Sequence, residues 1–102
     1  MKEKTYSKNG VPIRLPQERW FHITEEHSEL AGYFYDVLLT ISDPDEVLQG
    51  YKDELLGIKK ITSDKYLVVI YKEIDRTDGF VITAFLTKRL KQLQKRVKVW
   101  PK

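Results

Sequence analysis

The stretch RWFHITEEH, residues 19–27, holds both histidines of a 102-residue chain, beside Arg19, Trp20, Glu25 and Glu26. Imidazole, with an ordinary pKa near ~6.5, can take or give a proton at neutral pH, and a guanidinium offers phosphate a fork of N–H donors. These residue types suit three roles: a pair of acid-base groups, half of a metal site, or the start of a helix in which the histidines only pack. A zinc site wants three or four ligands. Glu26 or Glu29 would have to complete the set, yet the spacing is not HExxH and the chain has no cysteine, so no metal and no other cofactor is assigned. A serine nucleophile lacks its GxSxG turn, and the five glycines are scattered, with no phosphate-cradling loop. Proton transfer without a cofactor is what these residues support. RNA cleavage is the prominent case, because the substrate's 2′-hydroxyl is the nucleophile. The protein then has to remove its proton, neutralise the phosphorane and protonate the leaving 5′-oxygen.

Something must position these groups. Leu30, Phe34, Val37, Leu38 and Ile41 recur at helical spacing, with Thr24 suited to cap and Glu25 and Glu26 to face the positive dipole end, which predicts a helix from about 24 to 41. On that reading His22 precedes the helix and His27 lies at the rim of its apolar stripe. Gly32 is a weak point, and Ser42-Asp43-Pro44-Asp45 ends the helix. The period then changes to two, predicting strands at 46–51, 55–61, 66–73 and 80–86, joined by turns at Ser63-Asp64 and 75–79 into an antiparallel meander. In the last strand Phe80, Ile82, Ala84 and Leu86 alternate with Val81, Thr83, Phe85 and Thr87, so Thr83 and Thr87 are expected on a sheet face left open. Upstream, Asn9-Gly10 suggests a short hairpin weakened by Pro12. Leu90, Leu93 and Val97 predict a short amphipathic helix at the end. The expected fold class is α+β: an N-terminal arm and helix packed on a four-stranded antiparallel sheet, with a short basic C-terminal helix.

At 41% hydrophobic residues the chain can bury one core, and a single domain over 1–102 is expected, with an arm or hairpin at 1–18, a core at 19–88 and a basic segment at 89–102. No apolar run approaches the ~20 residues of a membrane span, and MKEKTYSKNG lacks the apolar segment of a secretory signal. The absence of cysteine suits a reducing compartment. A cytoplasmic protein without membrane partners is expected. The net charge is only +3, from 18 Lys and Arg against 15 Asp and Glu, but it is unevenly spread. Lys88, Arg89, Lys91, Lys95, Arg96, Lys98 and Lys102 face no acid in TKRLKQLQKRVKVWPK, while Glu25, Glu26, Glu29, Asp36, Asp43, Asp45 and Glu46 crowd the middle. The basic end is either a phosphate-attracting surface or a solvated helix face.

The blocks ERWFHITEEHSEL, LLTISDPDEVLQG, YLVVIYKE and GFVITAFLTK, taken together, resemble the phage-associated nucleases of the Barnase, EndoU, colicin and RelE group. These carry an R-W-x-H-I-x-x-x-H-P-E-like start, a D-P-D-x-[IV] step and an [IV]-[IV]-T-A-[YF] strand. The likeness runs from about Arg19 to Lys88, with Ser28 in place of the usual proline and Phe85 where tyrosine is common. It implies a metal-independent endoribonuclease, commonly a toxin that cuts RNA and is held by an antitoxin protein. Carried over by position, it implies His22 as general acid or base, Arg19 and Lys88 as stabilisers of the phosphorane oxygens and Thr83 as a phosphate hydrogen-bond donor. His27 and Glu29 would orient the site, and Trp20 would pack under the helix or stack on a base. The tail residues Arg89, Lys91, Lys95, Arg96 and Lys98 are expected to bind RNA. The rival reading is a noncatalytic RNA-binding or protein-interaction module that uses only the basic face.

Overall fold

The computed structural model describes residues 3–102, so the first two positions of the expected arm lie outside the described residues. The segment Lys4–Tyr6 (β1) pairs antiparallel with Pro12–Arg14 (β2), and Gln17–Glu26 (α1) and Phe34–Ser42 (α2) follow, with a 3-10 turn over Ser28–Leu30 between them. Glu46–Gln49 (β3), Glu54–Thr62 (β4), Lys65–Asp75 (β5) and Asp78–Thr87 (β6) make an antiparallel meander. One helical turn, Leu90–Leu93 (α3), and the strand Lys98–Trp100 (β7) complete the chain. The sheet has seven strands in the order β1-β2-β6-β5-β4-β3-β7 and is mixed, because β2 runs parallel to β6. The expected four-stranded sheet with one packing helix is therefore overturned: among the described residues there are seven strands and three α-helices.

Each departure has a local cause. The Asn9-Gly10 turn closes with Gly10 at φ +79°, a left-handed conformation that glycine adopts without a Cβ penalty. Pro12 is tolerated because it opens a strand that meets β6 only at Arg14 opposite Phe80. Of the two forms expected for this segment the hairpin is the one seen, and it is docked: Val11, Ile13 and Leu15 are buried and Arg14 forks onto Asp78 at 2.8 and 3.1 Å. That hydrogen-bonded guanidinium holds the Asp78 carboxyl below its ordinary range.

The single helix expected over 24–41 is two helices. The first starts earlier, behind Pro16, and its Gln17 N–H donates to the Glu3 carboxylate at 2.9 Å. Thr24 does not cap; its hydroxyl donates to the Trp20 and Phe21 carbonyls at 3.1 Å. The chain leaves α1 at His27 and turns again at Gly32, whose φ of +88° no continuous helix accommodates. At the other end the helical spacing of Leu90, Leu93 and Val97 yields one turn only. Val97 and Val99 have the β-branched character of a strand, and Lys98–Trp100 takes the free edge of β3. Lys8 Nζ, in the first hairpin turn, stands 4.5 Å from the Trp100 ring centroid, so the sheet curls until its two ends approach.

Two apolar clusters hold the faces of the sheet. Both helices pack on the first through Ile23, Leu30, Phe34, Val37, Leu38 and Ile41, against Leu67, Val69, Tyr71, Val81 and Ala84. The second consists of Leu48, Leu56, Ile58 and Val68, roofed by Leu90 and Leu93 with Tyr66, Ile70 and Phe85 alongside. The far face is thus largely covered by the C-terminal segment, where the sequence leaves it open. Ile82 is the extra residue of a bulge, because Thr83 lies opposite Ile70 whereas Val81 already lies opposite Tyr71. The bulge puts Val81 on the helix side with Ala84, against the simple alternation. No helix among the described residues is long and apolar enough to cross a membrane.

Candidate functional site

The two histidines end up in different surroundings. Arg19 and His22, three residues apart on α1, share a solvent-facing side of that helix. The His22 side chain is 69% exposed, and its Nδ1 lies 3.7 Å from the Glu25 carboxylate one turn on. The helix beneath it packs through Trp20 and Ile23 on the first cluster, the face of the sheet opposite Thr83. Among the described residues no hydrogen bond or ion pair joins Arg19 or His22 to Thr83.

His27 stands where α1 ends, with its N–H donating to the Ile23 carbonyl at 2.8 Å and its carbonyl accepting from Leu30 at 3.0 Å. This break turns the imidazole toward β6. Its ring centroid is 6.3 Å from that of Phe85, its Nδ1 is 3.6 Å from Glu29 Oε2, and its side chain is 33% exposed. Phe85 belongs to the far face of the sheet, so His27 occupies the edge of β6 and looks onto the face that carries Thr83 and Thr87. Beyond Phe80 no strand flanks that edge among the described residues.

Cations continue the same face. Tyr66 lies opposite Thr87, and a groove of about 460 Å³ opens between Tyr66 and the segment holding Lys88, Arg89 and Lys91. The Thr87 hydroxyl accepts from the Arg89 N–H at 3.0 Å, fixing the turn into α3. Lys88 Nζ lies 3.7 Å from Asp64, both side chains exposed. The remaining tail cations are elsewhere: Lys95 and Arg96 flank Gly50 beyond α3, with the Arg96 guanidinium 4.2 Å from the Tyr51 ring centroid, and Lys98 is in β7 opposite Leu48. Among the described residues no group of three or more His, Cys, Asp or Glu is placed to hold a metal ion.

The structure therefore sets His27, Glu29 and Phe85 at the edge of the β6 face that carries Thr83 and Thr87, with Tyr66, opposite Thr87, lining the Lys88, Arg89 and Lys91 groove, and leaves Arg19 and His22 in solvent. Tyr66, which lines this groove, and Tyr51, which stacks on Arg96, are the residues that sequence reasoning passed over. Tyr66 lies near the start of β5 and Tyr51 just past β3, and neither neighbours the basic run in sequence, so no local signal marked them. In comparisons with known proteins, the chain matches no family model, no curated protein and no solved structure.

Proposed function

We propose that this chain is a metal-independent endoribonuclease acting in the cytoplasm, whose motif blocks resemble those of the phage-associated Barnase, EndoU, colicin and RelE nucleases, and that it serves as a toxin held by an antitoxin protein. One observation carries the reading: His27 is held between Glu29 and Phe85 at the lip of a sheet face that continues into the Lys88, Arg89 and Lys91 groove. On this geometry the acid-base role passes from His22 to His27. A neutral His27 takes the 2′-hydroxyl proton as the 2′-oxygen bonds to phosphorus, and Glu29 stabilises the imidazolium that forms. The groove cations neutralise the phosphorane oxygens. The P–O5′ bond breaks, water protonates the leaving oxygen, and the products are a 2′,3′-cyclic phosphate and a 5′-hydroxyl.

Purified protein incubated with total RNA in EDTA tests this. Cleavage with cyclic phosphate ends is expected. It should fall by ~10²- to 10⁴-fold in His27→Gln, the range for a positioned acid-base group, and persist in His22→Ala. Activity lost in EDTA and regained with magnesium or zinc, or an unimpaired His27→Gln, refutes it. The cationic groove by itself also suits a noncatalytic RNA-binding module, and RNA that is bound but left intact assigns the chain to that class.

A further inference from the structure

On the far side of α3 from the cationic groove lies a second cavity, of about 450 Å³, that the proposed cleavage does not use. Its floor is aliphatic: Leu56 from β4, Ile70 from β5 and Ile82 from β6. Ile82 lines it only because of the bulge, which re-aims the side chain between Val81 and Thr83. The wall is a stacked pair. Tyr51 is 90% exposed, an unusual position for a large ring, and the Arg96 guanidinium stands 4.2 Å from its centroid. A smaller cleft of about 200 Å³ shares Gly50 and Arg96 with this cavity and adds Lys95. Arg96 thus separates an apolar slot from a cationic shelf.

Resting on the reading of RNA as the substrate, we infer that this slot binds an unpaired nucleobase of single-stranded RNA, with the nucleotide's phosphate on the Lys95 and Arg96 shelf. A base is flat, so one π face can stack on the exposed Tyr51 ring, whose other face the Arg96 guanidinium holds, while the base tolerates an aliphatic floor and is joined within one nucleotide to an anion. The juxtaposition of apolar slot and cationic shelf matches that pairing of properties. The slot also opens on the sheet face that holds Thr83, opposite Ile70, so one strand of RNA can reach both it and the His27 edge. Glu54 Oε1 accepts from the Lys52 N–H at 2.8 Å, which fixes a carboxylate at the rim where it can accept from an exocyclic amine.

The test is binding of a short fluorescent single-stranded RNA, by anisotropy, against the same oligonucleotide carrying abasic positions, with cleavage of total RNA followed separately. Tyr51→Ala is expected to weaken binding of the intact oligonucleotide by roughly 5- to 140-fold, the range for one lost base stack, and to leave the abasic one unchanged. Tyr51→Trp should restore the difference. Because Tyr51 is exposed, these variants keep the fold, and an unaltered melting curve confirms it. Intact RNA bound equally by the wild type and Tyr51→Ala overturns the pocket and leaves the ribonuclease reading standing. Base-dependent binding without cleavage supports the pocket and sinks the ribonuclease. Failure to bind any RNA overturns both.

Discussion

Gly79→Ala is the substitution most directly readable as energy. Gly79, the second residue of β6, lies between Glu73 of β5 and the parallel strand β2, and it is buried. A methyl group built there meets the Lys72 carbonyl oxygen at 2.5 Å, Ile13 Cδ1 at 2.6 Å and the Pro12 carbonyl oxygen at 3.3 Å. Ordinary van der Waals contact starts near 3.4 Å, so about 0.9 Å of displacement is demanded of the Lys72 backbone. That backbone is held in the ladder by its own pairing with Phe80 and Glu54, and Ile13 has no exposed side to move into. Overpacking of this kind costs about 1 to 3 kcal/mol, and the backbone contact puts it toward the upper half. For a chain of this size about 2 kcal/mol lowers the melting temperature by roughly 8 to 16 °C. Gly57→Ala supplies the control, since its Cβ comes no nearer than 3.2 Å, to the Thr40 carbonyl, and a few tenths of an ångström relieve it. Thermal melts by circular dichroism measure both. A Gly79→Ala protein that melts within about 2 °C of the wild type, or below which Gly57→Ala falls, refutes the docking of β2 against β6 as described.

Two further outcomes test the core and the groove. Burial, and then the Glu73 charge, push the Tyr71 phenol well above its ordinary 10.0, so its contribution to stability is full below pH 10 and is lost as pH rises beyond it, by up to about 1.4 kcal/mol per pH unit. Tyr71→Phe should therefore flatten the alkaline limb of a denaturation-versus-pH curve, and an unchanged limb rules the phenol out as its cause. Replacing Lys88, Arg89 and Lys91 together with glutamine should reduce the logarithmic salt slope of single-stranded RNA binding by about 2, at ~0.7 per phosphate contact; a slope that does not move removes this groove from the RNA surface.

Period-two alternation and turn residues made the central meander legible, because strands at 46–49, 54–62, 65–75 and 78–87 are bounded by side chains that act locally. What was not legible depends on distant partners. The apolar residues Leu30, Phe34, Val37 and Ile41 keep helical spacing across a break, since the 3-10 turn buries Leu30 in the same cluster that α2 faces. Spacing alone does not register the left-handed Gly32 between them. The Asn9-Gly10 turn signalled the hairpin over 4–14, but its docking on β6 and the strand at 98–100 were not legible, because each rests on an unpaired edge that a longer strand offers. An edge is a property of the folded sheet.

The candidate site was legible to the same degree and for the same reason. Residue type singled out both histidines, the threonines of β6 and the basic tail, but their grouping turns on two irregularities. Ending α1 at His27, where a helix from about 24 was expected to run on, swaps the environments of the pair: His22 rides in solvent on a helix, and His27 is carried around the edge of β6 to Phe85 and Glu29. Ending the terminal helix after one turn splits the basic run, since a continuous helix would keep Lys91, Lys95 and Lys98 near one another on an outer face. Instead, α3 covers the middle of the far face with Leu90 and Leu93. It sends Lys88, Arg89 and Lys91 to one side, toward Tyr66, and Lys95 and Arg96 to the other, toward Tyr51. Two cationic grooves, each with a tyrosine, then flank one apolar ridge. Such a surface suits a flexible anion carrying flat rings better than a rigid one.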